Sequence, residues 1–208
     1  GINAEYGEFQ LMRTNKIVTI GDTRAGKTSI LSRFMSNVFD PTHTSSVGID
    51  WFSKTVFFNL DGQQRETKLF LWDTSGQERF KSLTPSYVKD ARVVLLVFDL
   101  NEPESLQNAT FWWQQAQKSQ QETEYILVGN KCDLERKCNT ADIDTVKLQT
   151  NCSKYYEVSA KEGTNISQMF QDIGKGLFQS NLKEEARAIS EAIKIEPKKA
   201  EGKKGFCC

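Results

Sequence analysis

GDTRAGKT, at residues 21–28, fits the pattern G-x-x-x-x-G-K-[ST] of a phosphate-binding loop. The residues before it (KIVTI, 16–20) predict a strand, and those after it (SILSRF, 29–34) predict a helix. A strand, a Gly-rich turn and a helix N-terminus together direct backbone N–H groups and a positive dipole end at one point, where anions bind. Lys27 would reach the β- and γ-phosphates, and the Thr28 hydroxyl would ligate Mg²⁺. The predicted phosphate-binding residues are Thr23, Arg24, Ala25, Gly26, Lys27, Thr28 and Ser29.

Composition and length narrow the class of protein. The 208 residues suffice for one α/β domain of about 170 residues with extensions. Lys and Arg together number 27, as do Asp and Glu, and this zero net charge argues against a nucleic-acid-binding protein. No apolar run approaches the ~20 residues of a membrane-spanning helix. Of the five cysteines, Cys132, Cys138 and Cys152 lack a zinc-like pairing and are interpreted as reduced thiols in the cytosol.

Strand-like and helix-like segments alternate after the loop. Strands are predicted at residues 16–20, 49–59, 65–72, 93–98, 125–129 and 155–158. Helices are predicted at residues 29–36, 103–119 (with Trp113 facing the core), 141–150 and from 166 onward. Asp61-Gly62 is a strong hairpin signal, and the apolar run 93–98 is typical of a strand buried on both faces. We predict an α/β fold of the phosphate-loop NTPase type: a doubly wound, mostly parallel six-stranded sheet with one antiparallel edge strand and helices on both faces.

The chain is predicted to divide into three parts. Residues 1–11 are a mixed, flexible lead-in, and residues 12–182 form the folded domain. From Lys183 the composition shifts to Ala, Glu and Lys with too little apolar surface to hold a fold, so residues 183–208 are expected to be a flexible tail in which residues 184–195 could be transiently helical.

A second motif selects the nucleotide. Asn130-Lys131-Cys132-Asp133 follows a buried strand and therefore lies at the same sheet edge as the phosphates. The Asp133 carboxylate can accept hydrogen bonds from N1–H and the N2 amine of guanine, whereas adenine would leave it unpaired at a high cost. Ser159-Ala160-Lys161 would add a backbone N–H near the guanine oxygen and a lysine stem beside the ring. We therefore predict GTP and GDP as ligands, with Asn130, Lys131, Asp133, Ser159, Ala160 and Lys161 at the base.

A third group of residues predicts chemistry at the γ-phosphate. Asp73, at a strand end, is placed to hold Mg²⁺ through water, and Gly76 can bring its N–H against the γ-phosphate. Gln77 can orient the attacking water, so Gln77, Gly76 and Lys27 are the predicted catalytic residues. Ser46, in the polar loop 37–48, is a candidate second hydroxyl ligand for Mg²⁺ when that loop closes. The predicted metal ligands are thus Thr28, Ser46 and Asp73.

These motifs, in this order, resemble those of the Ras superfamily of small GTPases. Within it the chain is similar to Rab proteins, on the evidence of residues 46–50 (SVGID), 72–74 (WDT), 77–80 (QERF) and the Cys207-Cys208 end. Residues 48–55 and 79–87 look most like the Golgi-associated Rab branch. The resemblance covers about residues 12–180 and the terminus.

The resemblance implies further roles. Phe39 would stack on the guanine edge, and Trp51, Trp72 and Tyr87 would form an aromatic surface that effectors read in the GTP state. Cys207 and Cys208 would carry two geranylgeranyl chains, which anchor a protein stably where one lipid is marginal. Implied partners are an exchange factor, a GTPase-activating protein, a GDP-dissociation inhibitor or escort protein, and effectors. The resemblance also implies that the protein is a monomer. It implies that this monomer cycles between the cytosol and the cytoplasmic face of intracellular membranes, at the Golgi or transport vesicles.

The chain also departs from the usual Rab pattern. Ser46, Ser75 and Trp51 stand where Rab proteins usually carry Thr, Ala and Phe, and Thr23 and Arg24 occupy loop positions where small residues are common. Thr23 would slow hydrolysis, while Arg24 either adds a cation near the phosphates or, as we favour, points to solvent.

We expect a GTP-hydrolysing switch that controls membrane traffic and needs an activating partner. A GTP-dependent binding module with negligible hydrolysis is the alternative, and a nucleotide kinase is disfavoured by the guanine motif.

Overall fold

A six-stranded sheet organises the part of the chain that our computed structural model describes, residues 14–39, 49–74, 82–119 and 122–195. The strands are β1 (Lys16–Ile20), β2 (Ile49–Leu60), β3 (Gln63–Thr74), β4 (Val93–Asp99), β5 (Glu124–Asn130) and β6 (Lys154–Glu157). The helices are α1 (Lys27–Ser36), α2 (Thr84–Val88), α3 (Pro103–Gln117), α4 (Thr140–Gln149) and α5 (Ile166–Ile195).

The strand order β2-β3-β1-β4-β5-β6 confirms the predicted fold class. β1 pairs in parallel with β3 and β4, β5 pairs in parallel with β4 and β6, and β2 alone of the described strands runs antiparallel to its neighbour. The five parallel strands therefore end at one edge of the sheet. In a doubly wound sheet that edge is where ligands bind, and the three predicted motifs all follow strands there.

The β2–β3 hairpin forms where its turn signal lies. Asp61 and Gly62 have φ values of 52° and 77°, and two successive positive φ values are the mark of the tight turn that matches the twist of a hairpin. Pairing extends from Leu60 opposite Gln63 to Ile49 opposite Thr74, which places Trp51 opposite Trp72. The turn therefore sets the register that brings these two indoles together.

Two apolar clusters cover the two faces of the sheet. One packs β1, β3 and β4 against α1 and α5, and the other packs the opposite faces of β1, β4 and β5 against α3 and α4. In α3, Trp113 is half-buried and packs against the second cluster, as predicted, but the more deeply buried residue is its neighbour Trp112 (2% exposed). Both positions fit the helical period, and the indole N–H of Trp112 donates to the half-buried carboxylate of Asp22.

Helix α5 is longer than the composition suggested. It continues without a break through the predicted boundary at 182/183 to Ile195, so residues 183–195 of the predicted tail belong to this helix. Arg92, just before β4, ties this extension to the domain by donating to Ser180 and pairing with Glu184 at 3.1 Å. None of the described helices is long and apolar enough to cross a lipid bilayer. Residues 196–208, with Cys207 and Cys208, lie outside the described residues.

Candidate nucleotide-binding site

The phosphate loop surrounds a buried cation. Lys27 is 5% exposed, and its Nζ donates to the carbonyl oxygens of Gly21 (2.9 Å) and Asp22 (2.8 Å). Burial lowers the pKa of Lys27 from 10.5 to about 8, although Asp73 and Asp22 act in the opposite direction. A phosphate group at this position would supply the negative charge that favours the ammonium form, so the loop fits the ligand that its motif predicts.

Gly26 begins α1 with φ 92°, and the space beside its Cα is already filled. A Cβ built there would lie 2.1 Å from Nδ2 of Asn130. The phosphate loop and the base motif are therefore packed directly on each other. Only glycine satisfies both the backbone conformation and this close approach.

The predicted magnesium ligands among the described residues are in contact. The Thr28 hydroxyl donates to Oδ2 of Asp73 at 2.5 Å, and Asp73 is 1% exposed at the end of β3. A hydroxyl and a buried carboxylate make an all-oxygen donor set of the kind that Mg²⁺ prefers. Thr28 and Asp73 would thus hold the ion, which neutralises phosphate charge when bound. Ser46, Gly76 and Gln77 lie outside the described residues, and their roles stay predictions.

Asn130 links the phosphate loop to the loop that reads the base. Its side chain, 1% exposed, donates to the carbonyl of Ala25 at 2.9 Å and accepts from the backbone N–H of Ala160 at 3.2 Å. Residues 25, 130 and 160 come from three separate connections of the sheet. Asn130 therefore fixes the distance between the predicted phosphate and guanine subsites.

The other base residues also have defined partners. The buried Ser159 hydroxyl donates to Oδ1 of Asp133 at 2.5 Å, which orients the carboxylate predicted to read guanine. Lys131, at φ 63°, pairs through Nζ with Oδ2 of Asp99 at 2.6 Å. Asp99 ends β4 and was not singled out by the sequence motifs. It places the stem of Lys131 at the sheet edge beside Asp133.

The remaining predicted contact residues are arranged around this centre. Ser29 lies in the first turn of α1, and Arg24 is exposed with φ 68°, a backbone conformation that is costly for a residue other than glycine. Phe39 is half-buried against the cluster under α1 and α5, and Lys161 is exposed beside Glu162. The structure thus places every described base and phosphate residue at one edge of the sheet.

A further anchor of the phosphate loop escaped the sequence analysis. The two carboxylate oxygens of Asp22 accept hydrogen bonds from the indole N–H of Trp112 and the amide of Asn108, both at 2.7 Å. These bonds hold the loop to α3 across 86 and 90 residues of sequence. Spacing within a motif carries no signal for such a contact. The hint that the sequence offers is that Asn108 and Trp112, which both carry side-chain N–H donors, lie four residues apart on one face of α3.

The family of the chain follows from a comparison with family models. The model described as the Ras family matches residues 16–179, from the start of β1 into α5. The chain belongs to the Ras family. Ras-family proteins are GTPases that bind GTP or GDP with Mg²⁺, and they act as switches through regulators and effectors. The matched range contains the residues predicted to form the nucleotide site: the phosphate loop, Asp73, Asn130 to Asp133 and Ser159 to Lys161.

Proposed function

We propose that this Ras-family protein is a Rab-type switch that regulates intracellular membrane traffic by binding effectors in its GTP state. The observation that carries the proposal is an aromatic groove of about 300 Å³ on the side of the sheet formed by β1, β3 and β2. It is lined by Thr14, Lys16, Trp51, Phe70 and Trp72. Three of these are aromatic, and two of those three are tryptophans of the surface that the Rab resemblance implies.

The groove has the chemistry of a protein-binding surface. Trp51 is 65% exposed, and the ammonium group of Lys16 lies 4.3 Å from the ring centroid of Trp72. Tryptophan is among the residue types that dominate binding energy in protein interfaces, and Trp51 is exposed enough to contact a partner. Tyr87, the third predicted effector residue, is half-buried and packs from α2 against the cluster that Trp72 also contacts.

The connections of the groove supply a reason for nucleotide dependence. β2, with Trp51, begins directly after loop 37–48, and β3, with Trp72, ends directly before segment 75–81. These are the two segments expected to close on a γ-phosphate. Ordering them would therefore change the rim of the groove, so that a partner could distinguish GTP from GDP.

The membrane part of the proposal depends on the tail. We propose that Cys207 and Cys208 are geranylgeranylated and that the lysines at 198, 199, 203 and 204 add attraction to anionic lipid, about 1 kcal/mol each near the surface. The Golgi or transport vesicles are the proposed site, with an escort protein or GDP-dissociation inhibitor carrying the chain through the cytosol.

Effector binding tests the Rab assignment. We expect at least one member of a panel of Rab effector domains to bind the GTPγS-loaded protein more tightly than the GDP-loaded protein. Trp51→Ala should weaken that binding by roughly 30-fold or more, the loss typical of a central aromatic contact. Titration calorimetry with both nucleotide states measures it.

Phe57→Ala is the matched control, because Phe57 is also exposed on β2 but lies six residues farther from the nucleotide edge. We expect it to change effector affinity by less than about 3-fold. A panel in which no domain distinguishes the two nucleotide states would contradict the Rab assignment and leave the Ras-family assignment intact.

Turnover separates the switch from the alternative of a binding module with negligible hydrolysis. We propose slow intrinsic hydrolysis that a GTPase-activating protein accelerates by supplying a charge, with Gln77 orienting water. Gln77→Leu should reduce activated single-turnover phosphate release by about 100-fold, a loss within the range for an acid–base or positioning group. Wild-type protein that releases no phosphate even with activating proteins would favour the binding module.

A further inference from the structure

One charged side chain connects three segments around the predicted guanine subsite. Arg33 lies in the last turn of α1, and its Nε donates to the carbonyl of Ala160 at 2.7 Å. One terminal nitrogen of the guanidinium donates to the carbonyl of Lys161, and the other donates to the carbonyl of Asn37 at 2.8 Å. The planar fork of arginine is suited to several acceptors at fixed angles, which a lysine ammonium cannot match.

The acceptors belong to segments that the site needs in place. Ala160 and Lys161 form the loop whose backbone N–H is predicted to face the guanine oxygen, and Ala160 is also held by Asn130 on its N–H side. Arg33 therefore donates to the carbonyl oxygens on the other side of this guanine loop. The loop is fixed from both sides, so the orientation of its N–H groups depends on both contacts.

Asn37 extends the connection toward the first nucleotide-sensing loop. It ends α1 in the left-handed conformation (φ 57°), and its own N–H donates back to the carbonyl of Arg33 at 3.0 Å. Phe39, predicted to stack on the base, follows two residues later. Arg33 thus connects the guanine loop to the first residue of loop 37–48.

We propose that Arg33 is a positioning residue that holds the guanine loop against the end of α1 and so slows nucleotide release. Its effect passes through the Ala160 and Lys161 backbone. This inference rests on guanine-nucleotide binding by the Ras family and is independent of the Rab-type assignment.

Release of a fluorescent GDP from the full chain with Mg²⁺ tests the proposal. We expect Arg33→Ala to accelerate release by about 10- to 100-fold, since it removes the three hydrogen bonds that this charged donor makes to backbone carbonyls. Arg33→Lys, which can keep one of these contacts, should give an intermediate rate. It also provides a second variant if the alanine variant does not fold.

Arg92→Ala is the matched control. Arg92 also links its own segment to another element, but its partners are the side chains of Ser180 and Glu184 in the middle of α5, away from residues 159–161. We expect release from Arg92→Ala within about 2-fold of the wild-type rate, with thermal unfolding shifted as much as in Arg33→Ala. Equal acceleration by both variants, or a wild-type release rate for Arg33→Ala, would overturn the proposal.

Two modified nucleotides locate the effect on the base. 6-Thio-GDP replaces the oxygen predicted to face a backbone N–H of residues 159–161, and inosine diphosphate lacks only the N2 amine predicted to face Asp133. If Arg33 acts through the guanine loop, Arg33→Ala should accelerate release of 6-thio-GDP clearly less than release of GDP. Inosine diphosphate should be accelerated as much as GDP. The same acceleration for all three nucleotides would show that Arg33 does not act through the Ala160 loop.

Discussion

Asp133→Asn is expected to reverse the base preference of the protein from guanine to xanthine. Guanine presents donors at N1 and N2, whereas xanthine presents a donor at N1 and an acceptor at C2. The Ser159 hydroxyl, 2.5 Å from Oδ1, would keep the carbonyl of the new amide on its own side and leave the NH₂ for the xanthine oxygen. GDP affinity should fall by about 10⁴-fold, because a site built for hydrogen bonds strongly rejects a mismatched partner. Competition binding of GDP and xanthosine diphosphate measures both affinities.

Asp144→Asn is the control for the lost charge. Asp144 is an exposed carboxylate on α4, outside the nucleotide site, so its neutralisation should leave both affinities within about 2-fold of wild type. If Asp133→Asn still binds GDP as tightly as the wild type, the Asp133 carboxylate does not contact the base, and the prediction that it selects guanine is wrong. Loss of both nucleotides together would point to a misfolded loop instead, which circular dichroism would reveal.

Gly26→Ala is expected to have the largest effect on stability. The new Cβ would lie 2.1 Å from Nδ2 of Asn130, and that side chain is buried with bonds to Ala25 and Ala160. Displacing it breaks those two bonds, and the left-handed backbone at φ 92° adds strain. We expect the free energy of unfolding to fall by about 2–4 kcal/mol and GDP release to accelerate strongly. Urea unfolding at several GDP concentrations separates the two effects, because bound ligand adds to apparent stability.

Gly62→Ala isolates the contribution of the backbone. Gly62 also has a positive φ (77°), but a Cβ there would meet nothing within 4 Å at the tip of the hairpin. It should cost about 1 kcal/mol and leave GDP release unchanged. Equal losses in the two variants would mean that the contact between Gly26 and Asn130 contributes nothing, and that the phosphate loop and base motif are stabilised independently.

Local patterns predicted the elements of this protein well. The Asp61-Gly62 turn lies where its φ preferences require, and the run 93–98 forms a central strand because every residue on both of its faces is apolar. These signals act over a few residues, so neighbours in sequence suffice to decide them. The helix α3 was predicted too, but its buried tryptophan was not, since Trp112 and Trp113 satisfy the helical period equally.

Contacts between distant residues could not be predicted in the same way. Arg33 and Ala160 are separated by 127 residues, and Asn130 and Ala25 by 105. From the sequence, Arg33 cannot be told apart from an ordinary solvated arginine on the surface of a helix. Asn130, from its motif, is expected only to contact the base. The backbone carbonyl to which each side chain donates depends on how the loops at the sheet edge pack. Neither hydrophobic periodicity nor a local sequence motif predicts that packing. The extension of α5 to Ile195 belongs here as well, because Arg92 supports it from another element.

The sequence by itself determined the order of strands and helices, the phosphate loop and the guanine motif, because turn preferences, apolar periodicity and motif spacing are properties of short segments. The tertiary structure alone decided that Asn130, Asp22 and Arg33 join these motifs into one site. Such bonds form only after the sheet has brought the ends of its parallel strands to a common edge, where buried donors and acceptors must find partners.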